Sequence, residues 1–380
     1  MPVLDFARTD KTHTLSLFLS HMPSSTYLLK TSFVFALLAF LSTIQAQSFK
    51  GFADSIRKAK HIPELAYARV SSSAVYEINA LGTTKINASH PASLTDKFRI
   101  GSNTKSVTAF IAALLVKEGK LKWETKFFDV FPELKLKSDP AHYNLSLADL
   151  LSMRTHLYAY SYYYDKPEQK DFSGDEYQQR FQFLSWCLKQ PAVTDTQSIH
   201  FSNLGYVMAG FMLEKASGKA YKQLVTELGK KLDIDFQFGQ PNTKDSLQPW
   251  GHNKDLLPEP PGDNYKLDWL LAAGNISVSL PDYVKFVQLQ LKGLKGQSDL
   301  LSAREFNFLH YGLPEVSLGW FWSVDEQGYH WSTHTGNPGS FLTQVTFCME
   351  KDLAAIVFMN AQTPDSEKAM ELLTNELTKN

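Results

Sequence analysis

Strand-like segments lie near the two ends of this 380-residue chain, and helical patterns fill its middle. The first are "PELAYARV" and "SAVYEINALGTTK"; the last are "LGWFWSVD", "YHWSTHTG", "FLTQVTFCME" and "LAAIVFMNA". Their β-branched and aromatic content is typical of strands. Strands separated in this way bury their apolar faces most simply in one shared sheet. The sequence therefore predicts an α/β (α+β) fold, in which N- and C-terminal helices flank an antiparallel sheet and a mainly helical region is inserted.

The middle of the chain has a different sequence pattern from its ends. Helical patterns such as "NLGYVMAGFMLEKASG" alternate there with polar, proline-containing loops such as "LPEPPGDNYK". We predict one domain over residues 47–380, with 47–120 and 271–380 forming the α/β part and 121–270 the inserted helical part. A cleft between two such parts is a common place for a binding site.

The N-terminal segment "KTSFVFALLAFLSTIQAQ" is typical of a secretory signal. A charge at Lys30 precedes a short apolar run, and small or polar residues lead to a cleavage site near Ala46–Gln47. Residues 1–46 are interpreted as this signal, with Met22 as an alternative start of more usual length. The apolar run is too short to span a bilayer. We therefore expect an exported protein, periplasmic or secreted from a bacterium, without a stable membrane anchor after cleavage.

Composition excludes some partners and leaves others open. The formal net charge is -1 and no basic stripe is present, so a nucleic-acid partner is not expected. Cys187 and Cys348 could pair in an exported protein, but two small buried thiols are the favoured interpretation. No Cys/His spacing resembles a zinc site. The oligomeric state is left open.

One stretch, "FRIGSNTKSVTAFIAALL", carries a possible nucleophile with its base. Ser102 and Lys105 are three residues apart at the start of an apolar helix, so their side chains share one face. A hydroxyl needs a base beside it, and lysine can serve when burial lowers its pKa. The free N–H groups of a first helical turn also favour a developing anion. A second pair of the same spacing, Ser55 and Lys58, lies in a polar helix and is interpreted as surface.

Two further segments have both a structural and a functional interpretation. In "IHFSNLGYVMAGFMLE", Asn203 precedes an apolar helix and could cap it or contact a substrate. In "STHTGNPGS", strand alternation puts His334 and Gly336 on one face, and the glycine would let a ligand approach the backbone. The alternative is a polar strand end followed by a turn.

Together the three segments resemble the serine β-lactamase and penicillin-binding-protein superfamily, with its Ser-x-x-Lys, Ser/Tyr-x-Asn and Lys-Thr-Gly elements. The sequence is most similar to class C β-lactamase-related serine hydrolases, which include esterases and D-aminopeptidases. The resemblance runs from about residue 60 to 362. It also includes "PWGH" and "AAGNISVSLPDYVKF", in the expected order.

The resemblance assigns roles to individual residues. Ser102 resembles the acylated nucleophile, Lys105 its base, and Asn203 the residue that hydrogen-bonds lysine and substrate amide. His334, Thr335 and Gly336 resemble the third element, with histidine where lysine is common. The backbone N–H groups of Ser102 and Asn337 would form the oxyanion hole. No metal or organic cofactor is implied, and the expected substrate is a small-molecule or peptide acyl compound: a lactam, a D-amino-acid peptide or an ester.

The chain departs from the family pattern at two places. The second element reads Phe201-Ser202-Asn203 where tyrosine is usual, and a missing acid–base group typically costs about 10² to 10⁴ in rate. His200, His334 or Lys105 could replace the hydroxyl; His334 is expected at least to face the site. Upstream, "LLSMRTHL" has Thr155-His156 where relatives carry small Ser-Gly. The aromatic run "YAYSYYY" that follows either lines the cleft or packs as a loop.

These patterns predict an exported serine hydrolase that cleaves an amide, ester or lactam through an acyl-enzyme, weakened by Phe201. The alternative is a catalytically inactive binding protein that keeps the fold and the cleft.

Overall fold

The computed structural model of the chain describes residues 49–262 and 265–379. The described residues from Ala53 onward form one compact unit. The predicted signal, residues 1–46, lies outside the described residues, so export stays a prediction.

Strands and helices occur in the order that the sequence pattern indicates. The strands are β1 (Glu64–Val70), β2 (Val75–Gly82), β3 (Lys97–Arg99), β4 (Gln237–Phe238), β5 (Ile276–Ser279), β6 (Phe321–Val324), β7 (His330–Gly336), β8 (Leu342–Cys348) and β9 (Leu353–Met359). The helices are α1 (residues 49–59), α2 (Thr104–Lys117), α3 (Phe127–Val130), α4 (Pro132–Lys135), α5 (Leu147–Leu151), α6 (Glu176–Cys187), α7 (Asn203–Ser217), α8 (Tyr221–Leu232), α9 (Tyr265–Trp269), α10 (Leu271–Gly274), α11 (Leu280–Leu294), α12 (Ala303–Tyr311) and α13 (Pro364–Thr378).

The main sheet has six strands in the order β2-β1-β9-β8-β7-β6, and every neighbouring pair is antiparallel. β1 from the start of the domain pairs with β9 near its end, with Leu65 opposite Met359. The two ends of the chain therefore share one sheet, which confirms the predicted fold class.

The sheet is covered on both faces at its centre. Successive side chains of a strand point to opposite faces, and all seven side chains of β9 are buried. α11 packs against β1 and β9, and α13 packs against β8 and β9. β2 is the partly exposed edge strand. A nearly continuous apolar strand such as β9 is what burial on both faces requires.

A smaller sheet, in the order β3-β5-β4, connects the ends of the chain to its middle. β3 leads directly into the turn Gly101–Asn103 that carries Ser102. β4 lies in the segment predicted as the inserted helical part, yet it pairs with β5 beyond that segment's predicted boundary. The boundaries of the inserted part stay a prediction.

α2 and α7 are buried almost along their whole length. A helix that is apolar on all sides is typical of a protein core. The two helices pack on each other and on the short α10. This packing brings the first turns of α2 and α7 and the end of α10 to one place.

Two smaller expectations concern the membrane and the cysteines. In the part of the chain that the structure describes, no helix is both long and apolar enough to cross a bilayer. Cys187 and Cys348 are free and buried, which confirms the interpretation as two thiols rather than a disulfide.

Candidate active site

Ser102 lies in a tight turn against the end of β7. Gly101 has φ +49°, and a Cβ there would lie 2.8 Å from the backbone nitrogen of Asn337. A Cβ at Gly336 would lie 1.9 Å from the carbonyl oxygen of Ile100. Glycine at both positions therefore brings the backbones around Ser102 and Asn337 together. The close approach that the structure shows at Gly336 is to the chain's own backbone; approach of a ligand there stays a prediction.

Thr343 of β8 is hydrogen-bonded to the same turn. Its hydroxyl donates to the Ile100 carbonyl at 3.0 Å and accepts from the Asn103 side-chain amide at 2.9 Å. Neutral hydrogen bonds of this kind contribute about 1 kcal/mol each and fix the turn in one geometry.

Lys105 joins the three elements that meet here. Its Nζ lies 2.9 Å from Ser102 Oγ, 2.7 Å from Asn203 Oδ1 and 2.9 Å from the carbonyl oxygen of Ala273. The side chain is fully buried. An ammonium has three N–H donors, and these three oxygens satisfy them. Ser102 and Lys105 are therefore in direct contact, in the arrangement of a hydroxyl nucleophile and its base.

Burial also sets the charge of Lys105. Desolvation lowers the pKa of its amine from 10.5 to about 7. No carboxylate contacts the amine to offset this, among the described residues. The positive end of the α2 dipole further disfavours a cation in the first turn. A large fraction of Lys105 is thus neutral at neutral pH and able to accept a proton.

Asn203 begins α7 and is held from two sides. Its side-chain amide donates to the carbonyl oxygen of Tyr160 at 2.8 Å, and its backbone N–H donates to Ala159 at 3.1 Å. The first bond fixes the orientation of the amide, so that Oδ1 faces Lys105. The sequence left open whether Asn203 caps the helix or contacts the site; in the structure Ser202 is the N-cap of α7, and the Asn203 side chain lies at the site.

Phe201 occupies the mouth of the site. Its side chain is 48 % exposed, and the centre of its ring lies 5.2 Å from Lys105 Nζ. The ring therefore lies beside Lys105, at the position where the resemblance expects a tyrosine. Tyr206, one helical turn further on, has its ring 5.4 Å from the same amine, but its hydroxyl donates away to the Leu151 carbonyl.

His334 does not face the cavity, contrary to the expectation from strand alternation. It is 1 % exposed, and its Nδ1 lies 2.7 Å from the carbonyl oxygen of Gly319. Burial, together with the charge of Lys105, lowers its pKa to about 3, so it is neutral. Alternation does put His334 on the face opposite Thr335, and the burial pattern along β7 makes the His334 face the buried one. His334 is thus enclosed in the protein and does not line the cavity.

His200 is also directed away from Ser102. Its Nε2 contacts the carbonyl oxygen of Gln197 at 2.9 Å and Asp195 Oδ1 at 3.1 Å. Of the three groups considered as replacements for the tyrosine hydroxyl, only Lys105 contacts Ser102 in the described structure.

A cavity of about 220 Å³ opens above Ser102. Its wall includes the predicted residues Ser102, Phe201, Asn203, Thr335 and Asn337. Lys105, His334 and Gly336 lie behind that wall. The remaining lining comes from Gly101, Ser161, Tyr162, Tyr163, Leu267, Leu270, Ala273, Gly274 and Pro338.

Tyr162 and Tyr163 are site residues that the sequence did not single out. The Tyr162 hydroxyl donates to Asn337 Oδ1 at 3.0 Å and lies 2.6 Å from the Tyr163 hydroxyl, which can donate to it in turn. In contrast, Tyr160 is fully buried and stacks on Tyr164. The aromatic run therefore does both things that the sequence allowed: part of it lines the cavity and part packs.

Solved structures with a similar fold include a penicillin-binding protein homologue and a β-lactamase/D-alanine carboxypeptidase. The octameric penicillin-binding protein homologue from Pyrococcus abyssi has a TM-score of 0.73 at 19 % identity, covering 88 % of this chain and 78 % of that chain. A β-lactamase/D-alanine carboxypeptidase from Pseudomonas syringae has a TM-score of 0.69 at 15 % identity, covering 90 % and 100 %. These likenesses confirm the fold.

Sequence relatives are distant and longer. Protein flp of Staphylococcus aureus (strain MW2) is 20 % identical over 333 residues, 83 % of this chain and 63 % of that protein. The unguisins hydrolase ungD' of Aspergillus campestris is 23 % identical over 283 residues, 69 % and 52 %. The chain thus spans less than two thirds of the length of these relatives. The family model described as Beta-lactamase matches residues 49–378. The chain therefore belongs to the Beta-lactamase family.

Proposed function

We propose that this protein is a serine hydrolase that cleaves an amide, ester or lactam through an acyl-enzyme on Ser102. The observation that carries the proposal is the 2.9 Å contact between Lys105 Nζ and Ser102 Oγ, made by a fully buried amine. A buried lysine is unfavourable unless it is paired or neutral. A site used only for binding gives no reason to bury a lysine against a serine hydroxyl.

The first half of the proposed reaction forms the acyl-enzyme. Neutral Lys105 accepts the hydroxyl proton while Ser102 Oγ bonds to the substrate carbonyl carbon. The backbone N–H groups of Ser102 and Asn337 hold the oxygen that becomes negative. The tetrahedral intermediate then collapses, the bond to the leaving group breaks, and the leaving group takes the proton from the Lys105 ammonium.

The second half releases the product. A water molecule loses a proton to Lys105 and bonds to the ester carbon. The carbon–Oγ bond breaks, and Ser102 regains its proton from Lys105. One amine thus carries the proton in both directions, and its pKa of about 7 suits both tasks near neutral pH.

Phe201 supports a second candidate, a binding protein without turnover. The family's tyrosine hydroxyl would help to transfer the proton to the leaving group, and phenylalanine cannot do this. A half-exposed ring at the mouth could instead contact a bound ligand. The intact Ser102–Lys105 contact favours the hydrolase over this alternative.

An acyl probe tests the proposal directly. The protein is incubated with a fluorophosphonate and, separately, with a penicillin probe, and adducts are located by mass spectrometry. We expect one adduct on the wild type and none on Ser102→Ala. Ser55→Ala is the matched control, because Ser55 and Lys58 have the same spacing on an exposed part of α1; it should react like the wild type. An unmodified wild type, or an adduct that survives Ser102→Ala, would overturn the assignment.

The substrate class is the finer part of the proposal. One structural neighbour is described as a D-alanine carboxypeptidase, another, SurE, was solved with D-Leu, and one relative is named a hydrolase of unguisins. These names support testing D-amino-acid peptides first, beside a cephalosporin and a p-nitrophenyl ester. Turnover of a single class would identify it; equal slow turnover of all three would indicate an unselective cavity.

A further inference from the structure

Two histidines and an aspartate meet on the surface beside the active-site mouth. One nitrogen of His156, one of His200 and one carboxylate oxygen of Asp195 all lie within 4.8 Å of one another. The two imidazole rings are 4.8 Å apart, centre to centre. His156 and Asp195 are exposed, whereas His200 is largely buried. The sequence did not reveal this cluster, because its members are too far apart along the chain to form a recognisable spacing.

Backbone hydrogen bonds hold these three residues together, in addition to the contact between His200 Nε2 and Asp195 Oδ1 at 3.1 Å. The Val193 N–H donates to the His156 carbonyl at 2.8 Å, and the His200 N–H donates to the Met153 carbonyl at 2.9 Å. These two bonds fasten the loop that carries Asp195 and His200 onto the segment that carries His156. The side chains are therefore brought together before any ligand binds, which lowers the entropic cost of binding one.

We propose that His156, Asp195 and His200 form a surface site for a divalent transition-metal ion of the Zn²⁺ class. Neutral imidazole nitrogen and carboxylate oxygen are ordinary Zn²⁺ ligands, with bonds of about 2.0–2.2 Å. The presence of two imidazoles favours such ions over Mg²⁺ or Ca²⁺, which prefer oxygen ligands. To bind one ion, the three ligand atoms, which lie within 4.8 Å of one another, would draw closer, and His200 Nε2 would exchange its contact with the Gln197 carbonyl for the metal. Water would complete the coordination on the open side.

The position of the cluster gives the metal a structural role near the active site. His200 directly precedes Phe201, and Ser202 Oγ donates to the Tyr158 carbonyl at 3.1 Å. An ion that joins His156 to His200 would clamp residues 200–203 against residues 153–160. The segment 200–203 includes both Phe201 and Asn203. The two places where the sequence departs from the family, Thr155-His156 and Phe201, are therefore neighbours in space and belong to one feature.

Zinc binding to the full-length mature protein, without a histidine tag, tests the site. Metal-free protein is titrated with ZnCl₂ by calorimetry, and Co²⁺ is added in a second experiment because its visible absorption reports imidazole ligation. We expect one ion per chain and an increase in the thermal midpoint with Zn²⁺. His156→Ala and Asp195→Asn should each weaken binding by about tenfold or more and remove the absorption.

The control variant is His330→Ala. His330 and Glu350 form a partly exposed pair, with 2.8 Å between His330 Nδ1 and Glu350 Oε1. The substitution therefore removes a comparable histidine–carboxylate contact elsewhere on the surface. It should bind Zn²⁺ like the wild type. No stoichiometric binding by the wild type, or equal binding by His156→Ala and Asp195→Asn, would overturn the proposal. These readouts do not depend on hydrolysis, so failure of the metal site leaves the Ser102 assignment untouched, and the reverse also holds.

Discussion

At the scale of single residues, the protonation state of the buried Lys105 amine determines whether Ser102 has a base beside it. Three oxygens from three different elements hold the amine, and none of them carries a negative charge. Burial without a counter-charge favours the neutral amine. The same arrangement therefore positions Lys105 and gives it the proton affinity that a base needs.

The rate of acyl transfer should follow the protonation of Lys105. Its pKa of about 7 implies a protonated, inactive amine well below pH 7 and a neutral base above it. We expect kcat/KM for a generic ester to increase with pH through about 7 and then level off. A stopped-flow or steady-state profile between pH 5 and 9 measures this. A flat profile would contradict Lys105 as the base.

Replacing Phe201 with tyrosine should restore the proton carrier that the family normally has. The ring already lies 5.2 Å from the amine, so the hydroxyl is added without moving the backbone. We expect ester hydrolysis to increase by about 10² or more. Phe201→Leu is the matched control for simple loss of the ring. If wild-type hydrolysis is already fast and Phe201→Tyr does not accelerate it, the hydroxyl is not what the site lacks.

If the proposed hydrolysis takes place, Tyr162 should influence it through Asn337, whose backbone N–H is proposed for the oxyanion hole. Removing its hydroxyl with Tyr162→Phe breaks the 3.0 Å contact with Asn337 Oδ1. We expect kcat to fall by roughly tenfold, with little change in KM, because only the geometry of the developing oxyanion is disturbed. Tyr163→Phe is the control, since Tyr163 is hydrogen-bonded to Tyr162 and, among the described residues, not to Asn337. Equal effects of the two changes would argue against this role.

At the scale of elements, the site exists where β7 lies against the turn before α2. The glycines at 101 and 336 allow this approach, and no larger residue fits there. α7 and α10 then close the site from the other side through Asn203 and Ala273. The cavity is thus a product of packing between four elements that are remote in sequence.

The substitution Gly336→Ala should push β7 and the turn before α2 apart. The added Cβ would lie 1.9 Å from the Ile100 carbonyl oxygen, so β7 or the turn must move. We expect a loss of about 1–3 kcal/mol in the free energy of unfolding, by urea titration, and loss of reaction with the acyl probe. Gly51→Ala in α1 meets nothing within 4 Å and should change stability by less than about 1 kcal/mol. Wild-type stability and reactivity in Gly336→Ala would show that the contact is dispensable.

Over the whole molecule, the fold is held by core packing rather than by covalent links between distant parts. Cys187 and Cys348 are both buried and free, and burial raises the pKa of each thiol. The main core spans both ends and the middle of the chain. The described residues from Ala53 onward should therefore unfold together.

Thiol chemistry provides a test of this description. The thermal midpoint of the protein should be the same with and without a reductant. Both cysteines should resist alkylation in the native state and react after denaturation, as counted by mass spectrometry. A midpoint that falls in reductant, or a mass two protons lighter under non-reducing conditions, would indicate a disulfide.

Periodicity and order were enough to predict the shared antiparallel sheet, because a strand that is apolar throughout, such as β9, must be covered on both faces. The roles of Ser102, Lys105 and Asn203 came from the resemblance rather than from spacing alone, and they stay predictions. Alternation placed His334 correctly on a face of β7, but could not show that this face is the buried one. Strand alternation determines the face on which a side chain lies, but not which residues that side chain contacts.

The sequence by itself determined the fold class, the Ser-x-x-Lys segment and the phenylalanine at position 201, because each can be read from patterns along the chain. Tertiary structure alone decided the lowered pKa of Lys105, the burial of His334, the place of Tyr162 in the cavity and the meeting of His156 with His200. Each of these depends on contacts between segments far apart in sequence, and desolvation and distance are created only when those segments pack.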